Sequence, residues 1–197
     1  EYSKHTMRAK SELTARNASE AANQTASGLD RDYITQWSYG IDETWTLLVP
    51  GCKGGSSTAT LSQDKTAMAK ANPQYAPIYQ QLPQYWGDQP FTAGPVYVGA
   101  FVMMLALLAL FICRTPLTYG LAALTLLSMM LSWGKNYMGL TDFFIDYVPM
   151  YDKFRTVSSI LVVAEFTLPL MAMMAVKKLV DEPETLRQGN MKWLYTS

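Results

Sequence analysis

Cysteine and histidine are almost absent from this 197-residue chain. Two cysteines, Cys52 and Cys113, are too few for a disulfide framework or a zinc cluster. A single histidine, His5, argues against a histidine-based metal site. Net charge is lacking as well, since 16 Lys and Arg balance 16 Asp and Glu. Without a basic excess or stripe there is no electrostatic footing for nucleic acid, which is not expected as a partner. No internal repeat is present. Nothing near Glu1 has the apolar core of a signal peptide, so the economical reading is an internal excerpt of a longer polytopic protein.

What is present is unevenly distributed. Residues 1–93 scatter apolar side chains among Ser, Thr, Gln, Asn, Ala and Gly, whereas 94–180 are dominated by Leu, Met, Ala, Val and Phe. A soluble domain mixes these classes because each element needs one wet and one dry face. The expected fold is therefore mainly α: a polytopic membrane fragment with three transmembrane helices, at 94–112, 117–133 and 157–176, behind a loop-rich polar segment with short helices. A soluble helical bundle is the alternative, disfavoured because charge-poor runs of this length are rare in one. Arg114, Lys177, Lys178, Arg187 and Lys192 outweigh Lys135, Lys153 and Arg155, which sit among Asp142, Asp146 and Asp152. By the positive-inside rule, 1–93 and the loop 134–156 lie together outside and 177–197 is cytoplasmic. Cys52 and Cys113 then fall on opposite sides and do not pair.

In the polar segment the spacing predicts a short helix from Asp42, stopped by Pro50-Gly51, and another over 62–71, stopped by Asn72-Pro73. Five prolines between 72 and 95 forbid a long helix. The aromatic residues are the informative part. Trp37, Trp45, Tyr85 and Trp86, joined by Tyr151 in the later loop, offer flat faces beside polar groups and suit the C–H faces of sugar rings. A belt of rings resting at the membrane interface is the competing reading. The run Lys53–Ser57 could form an anion-binding nest, against a plain loop. The triplets at Asn17 and Asn23 match a glycosylation sequon, a pattern frequent by chance.

The loop 134–156 carries the charged chemistry. Asp142 and Asp146, four residues apart, share one side of a helix and are the weak catalytic candidates, as a base for an acceptor hydroxyl or as holders of a divalent metal in the full-length protein. No metal site is expected from the chain itself. Lys153 and Arg155 stand at the mouth of the third apolar run, where a lipid-linked phosphate would lie, and Arg suits that task by its planar fork. Glu165, inside that run, is costly in hydrocarbon and is expected to face a cavity or a partner. Pro169 kinks the helix beside it.

Residues 148–166 (VPMYDKFRTVSSILVVAEF), 35–57, 85–99 and 3–14 together resemble bacterial YfhO-like membrane proteins of the Bacteroidetes type. That resemblance implies a large inner-membrane protein of the GT-C glycosyltransferase class. Such a protein moves a sugar from a polyprenyl-phosphate carrier to a cell-envelope acceptor outside the cytoplasmic membrane. It also implies that the principal catalytic carboxylate precedes this segment, and that Phe154-Arg155 contacts the carrier phosphate. The chain departs from the family where a second basic residue follows that pair, since Val157, Ser158 and Ser159 stand there. A non-enzymatic scaffold or binding module for glycans or lipid carriers is the runner-up, and a transporter, suggested by Glu165 and Pro169, the third reading.

Overall fold

The computed structural model describes residues 29–90, 96–154 and 156–183. His5, Asn17, Asn23, Arg155, Arg187, Lys192 and the family-like stretch 3–14 lie outside the described residues. Those described form helices α1 (Arg31–Ile34), α2 (Lys65–Lys70), α3 (Ala76–Tyr79), α4 (Ala100–Ile112), α5 (Pro116–Ser132), α6 (Met138–Tyr147) and α7 (Leu161–Asp181). Short 3-10 turns join them, among them Asp42–Leu47 and Val157–Ile160. The helix expected over 62–71 shrinks to α2. Asp64 caps it by accepting from the Thr66 and Ala67 N–H groups at 2.8 and 3.1 Å.

The expected three membrane crossings are corrected to one. Among the described residues only Val157–Asp181, 25 residues, is a single helix long and apolar enough to cross a membrane, and this rests on length and composition. Its α-helical part, α7, reaches about 31 Å. The first apolar run is helical only from Ala100, because Gly99 adopts φ +112° at the N-cap. The Val98 and Gly99 N–H groups donate instead to the Leu47 carbonyl, at 3.2 and 3.4 Å. That leaves 13 residues in α4, about 20 Å against the ~30 Å of a hydrocarbon core. The second run starts at Pro116, its natural N1 position, and ends at Ser132. The chain then turns by 109° into the segment Gly134–Tyr147, and the two pass as a span only when counted as one broken element.

Both shorter apolar helices pack on α7 and hardly touch each other. Against α7, α4 sets Ala106 and Ala109 in one buried cluster with Ala164, Leu168, Met171 and Ala175. Small side chains let the two backbones approach closely. The contact between α5 and α7 is polar at its centre, where the Thr125 and Thr167 hydroxyls share a buried hydrogen bond of 2.6 Å. Between α4 and α5 an apolar groove of about 200 Å³ remains, lined by Met103, Leu107, Leu126 and Met129 among others.

The polar segment packs on one end of these helices. The Tyr39 N–H donates to the Ser132 carbonyl at 2.8 Å, the Lys135 N–H to the Ser38 hydroxyl at 2.8 Å, and the Trp133 indole N–H to the Thr44 hydroxyl at 2.9 Å. Further along, Ser158 N–H donates to the Trp37 carbonyl and Leu29 N–H to the Asp152 carbonyl. This segment and the loop 134–156 thus satisfy each other's backbone groups.

Candidate functional site

The site is organised around Glu43. It is the second residue of the 3-10 turn Asp42–Leu47 and is 1% exposed. Its carboxyl accepts from the Gly40 N–H at 2.6 Å, from the Asp88 N–H at 3.3 Å and from the Tyr85 hydroxyl. Buried acceptors require such donors, and here they join two stretches more than forty residues apart. Gly87 makes the approach possible, as a Cβ there would lie 1.8 Å from Glu43 Oε1 and 2.0 Å from the Tyr85 hydroxyl. Burial first, and the bond to Glu43 second, push the Tyr85 hydroxyl well above its ordinary titration range. Asn136 extends the network, donating its amide to the Tyr39 carbonyl at 2.9 Å and to Asp88 Oδ2 at 3.1 Å.

Above this buried hub lies an exposed rim. Trp86 is 64% exposed, yet its backbone N–H is fixed to the Lys53 carbonyl at 2.9 Å. The adjacent pair Gly54 and Tyr85 forms an antiparallel bridge. Lys53 is ion-paired with Asp42 and feels the charges of Glu43 and Asp88. The hydrogen bond from Lys53 draws the Asp42 carboxyl below its usual range. An exposed indole thus stands on a backbone fixed to Lys53, the residue whose ammonium pairs with Asp42. The nest read over Lys53–Ser57 does not form as an anion cradle, because the Gly54 and Gly55 N–H groups are taken by the Gly51 and Gln84 carbonyls, at 2.9 and 3.1 Å.

The other aromatic candidates divide. Trp45 is 62% exposed, flanked in sequence by exposed Ile41 and Val49, the composition of an interfacial surface. Tyr85 is buried and used by Glu43, so its ring is closed to a ligand. Trp37 is half-buried, and its carbonyl accepts the Ser158 N–H at 3.2 Å. Tyr151 is half-buried with its ring 5.6 Å from that of Phe144, and it lines a cavity of about 300 Å³ with Phe154, Val157 and Val162.

Asp142 and Asp146 do share one side of α6, and Arg31 occupies them both. Its Nη1 donates to Asp142 and its Nη2 to Asp146 at 2.5 Å, while Ile34 packs with Ile145 beside the fork. A guanidinium bridging two carboxylates holds the acid pair as a tether between α1 and α6 and leaves it poorly placed as a base. Replacing Arg31 with Ala is expected to cost about 1 kcal/mol, since both carboxylates are nearly half exposed. Hydrogen exchange should show α6 amides losing protection several-fold; unchanged protection would dismiss the tether.

Lys153 forms an ion pair of 3.5 Å with Asp152, and Arg155, the other expected phosphate contact, is outside the described residues. Glu165 is exposed on α7. Among the described residues no group of His, Cys, Asp and Glu could hold a metal ion. Sequence reasoning passed over Arg31, Glu43 and Asn136, because each acts on a partner 42 or more residues away and no local spacing marks it. Comparison with protein-family models, curated proteins and solved structures finds no match to the chain.

Proposed function

We propose that this chain is a membrane-anchored module that binds glycan at the membrane surface on the Trp86 rim. The observation that carries this reading is an exposed indole whose backbone N–H is fixed to Lys53, the residue ion-paired with Asp42. Sugar rings pair a hydrophobic C–H face with outward hydroxyls, and this rim offers a π-face with donors and acceptors around it. The fixed backbone helps, because less main-chain entropy remains to be lost on binding than in a free loop. Binding is the part of the sugar-transfer function implied by the YfhO-like resemblance that this geometry supports. The acid–base part lacks support in Asp142 and Asp146, which Arg31 already engages. Membrane lipid is the second partner, through α7 and the exposed residues near it.

An array of cell-envelope oligosaccharides presented to the detergent-solubilised chain tests the reading. Trp86→Ala is expected to weaken binding about tenfold, equivalent to roughly 1.4 kcal/mol. Trp45→Ala should leave glycan binding near wild type and reduce partition into vesicles instead. Equal glycan binding by wild type and Trp86→Ala would sink the proposal.

A further inference from the structure

At the head of α7 a cavity of about 300 Å³ runs across the start of the apolar span. Tyr151 and Phe154 wall it before the span begins at Val157, and Ile160, Val162 and Val163 continue the wall along the first turns of the span. Apart from the Thr156 and Ser159 hydroxyls the lining is aromatic or aliphatic, and the Ser159 hydroxyl already donates to the Thr156 carbonyl at 2.7 Å. One residue of this wall carries an unsatisfied polar atom. The Tyr151 hydroxyl is buried, and among the described residues it is the only buried side-chain nitrogen or oxygen without a hydrogen-bond partner. Burial raises it above its ordinary titration range, so at neutral pH it keeps its proton and needs an acceptor. A water is a poor answer, because it wants several polar partners and most of this wall is apolar. The wall is also held in an uncommon shape. Met150 and Thr156, at φ +69° and +72°, are the two non-glycine residues with left-handed backbone among those described, and they flank Tyr151 and Phe154. For a β-branched threonine that conformation is strained, as at sites that clamp a ligand. Docking keeps it in place, since the Asp152 carbonyl accepts the Leu29 N–H at 2.8 Å and the Trp37 carbonyl the Ser158 N–H at 3.2 Å.

We propose that this cavity binds a membrane lipid with ester-linked acyl chains, an ester carbonyl accepting from the Tyr151 hydroxyl and the chain lying along Val157, Ile160 and Val163. The site depends on α7 spanning a membrane, as the proposed function assumes. Val157 then marks the boundary between the headgroup region and the hydrocarbon, which is where the ester linkages of a glycerolipid sit. The match is chemical as well as positional. An ester has acceptors and no donor, so it satisfies the Tyr151 hydroxyl without burying a new unpaired proton, and its hydrocarbon tail suits the apolar wall. A bare hydrocarbon chain covers the same wall and leaves the hydroxyl unpaired. A sugar brings several hydroxyls that the wall has too few polar groups to pair. The ester lipid alone of these three leaves no polar atom stranded.

The probes are dilauroyl phosphatidylcholine and its diether analogue, which replaces each ester C=O with CH2. Binding to the full chain in mild detergent is measured by native mass spectrometry, and alkaline-carbonate extraction from vesicles establishes insertion in parallel. The wild type should hold the ester lipid about fivefold more tightly than the diether, the worth of one net hydrogen bond. Tyr151→Phe should lose that preference by weakening the ester lipid alone. Val162→Trp, at an exposed position of the wall, should weaken both lipids. Tyr151→Phe keeps the ring against Phe144, so without lipid it should denature no earlier than the wild type. A wild type without ester preference, a preference kept by Tyr151→Phe, or unchanged binding by Val162→Trp overturns the site. An early-denaturing Tyr151→Phe does so too, by showing that the hydroxyl already has a partner in the protein. Each of these outcomes leaves the anchor and glycan binding by the Trp86 rim standing. A chain washed out by carbonate overturns the anchor and the lipid site together.

Discussion

Glu43→Ala is expected to unfold the polar segment from the ends of the helices, with a loss of roughly 3 to 5 kcal/mol. The side chain is 1% exposed and its carboxyl accepts from Gly40, Asp88 and Tyr85. Alanine removes all three acceptor contacts, stranding the buried Gly40 N–H and the proton of the Tyr85 hydroxyl, which keeps only the Gln89 N–H that it accepts. Each stranded donor costs about 1 to 3 kcal/mol, though a water entering the vacated space would recover part of that. The damage travels, because Asp88 also receives the Asn136 amide and Asn136 donates to the Tyr39 carbonyl. Glu43→Gln keeps the shape but places an amide NH2 where an acceptor is needed, and a loss of about 1 to 3 kcal/mol is expected. Equilibrium denaturation followed by tryptophan fluorescence measures both variants. A Glu43→Ala protein with unchanged midpoint would show that the network contributes nothing.

How far the sequence discloses this arrangement depends on the range over which each interaction acts. The helical content of 100–112, 116–132 and 161–181 is legible, because long apolar runs are local signals that the single Pro169 does not interrupt. Their roles as three crossings are not, since two features shorten them that hydropathy does not register. Gly99 at φ +112° starts α4 late and ties its leading residues to Leu47, and the turn at Gly134 ends α5. The pairing of Asp142 with Asp146 on one side of a helix is legible from the i, i+4 spacing. That Arg31 fills the space between them is not, because its approach is set by Ile34 packing on Ile145, a contact 111 residues apart in sequence. Trp86 and Tyr85 look alike as neighbouring aromatics, yet one is 64% exposed and the other is buried on Glu43. Alternation along an extended stretch points consecutive side chains to opposite faces, and which face is buried is fixed by the 3-10 turn forty residues earlier.

Gly134→Ala is expected to separate the α5–α6 corner from the polar segment, at a cost of about 3 kcal/mol or more. Gly134 adopts φ +42°, a left-handed conformation that costs an alanine on the order of 1 kcal/mol. The steric term is larger. A Cβ at this position would lie 2.2 Å from the Ser38 Oγ and 2.5 Å from the Val157 Cγ2, with the Ser38 Cβ at 3.1 Å. Ser38 cannot simply rotate away, because its hydroxyl donates to the Thr35 carbonyl at 2.6 Å and accepts the Lys135 N–H at 2.8 Å. Val157 is held in the cluster with Leu29, Ile34 and Ile145. The whole corner must therefore move, which also strains the neighbouring bond from Tyr39 N–H to the Ser132 carbonyl. Gly139→Ala is the matched control. It lies in α6 with nothing within 4 Å of an added Cβ, so alanine there should stabilise by about 0.5 to 1 kcal/mol. Denaturant midpoints for the two variants should shift in opposite directions. Equal shifts would mean that the close packing of Ser38 and Val157 against Gly134 does not determine how the segment docks.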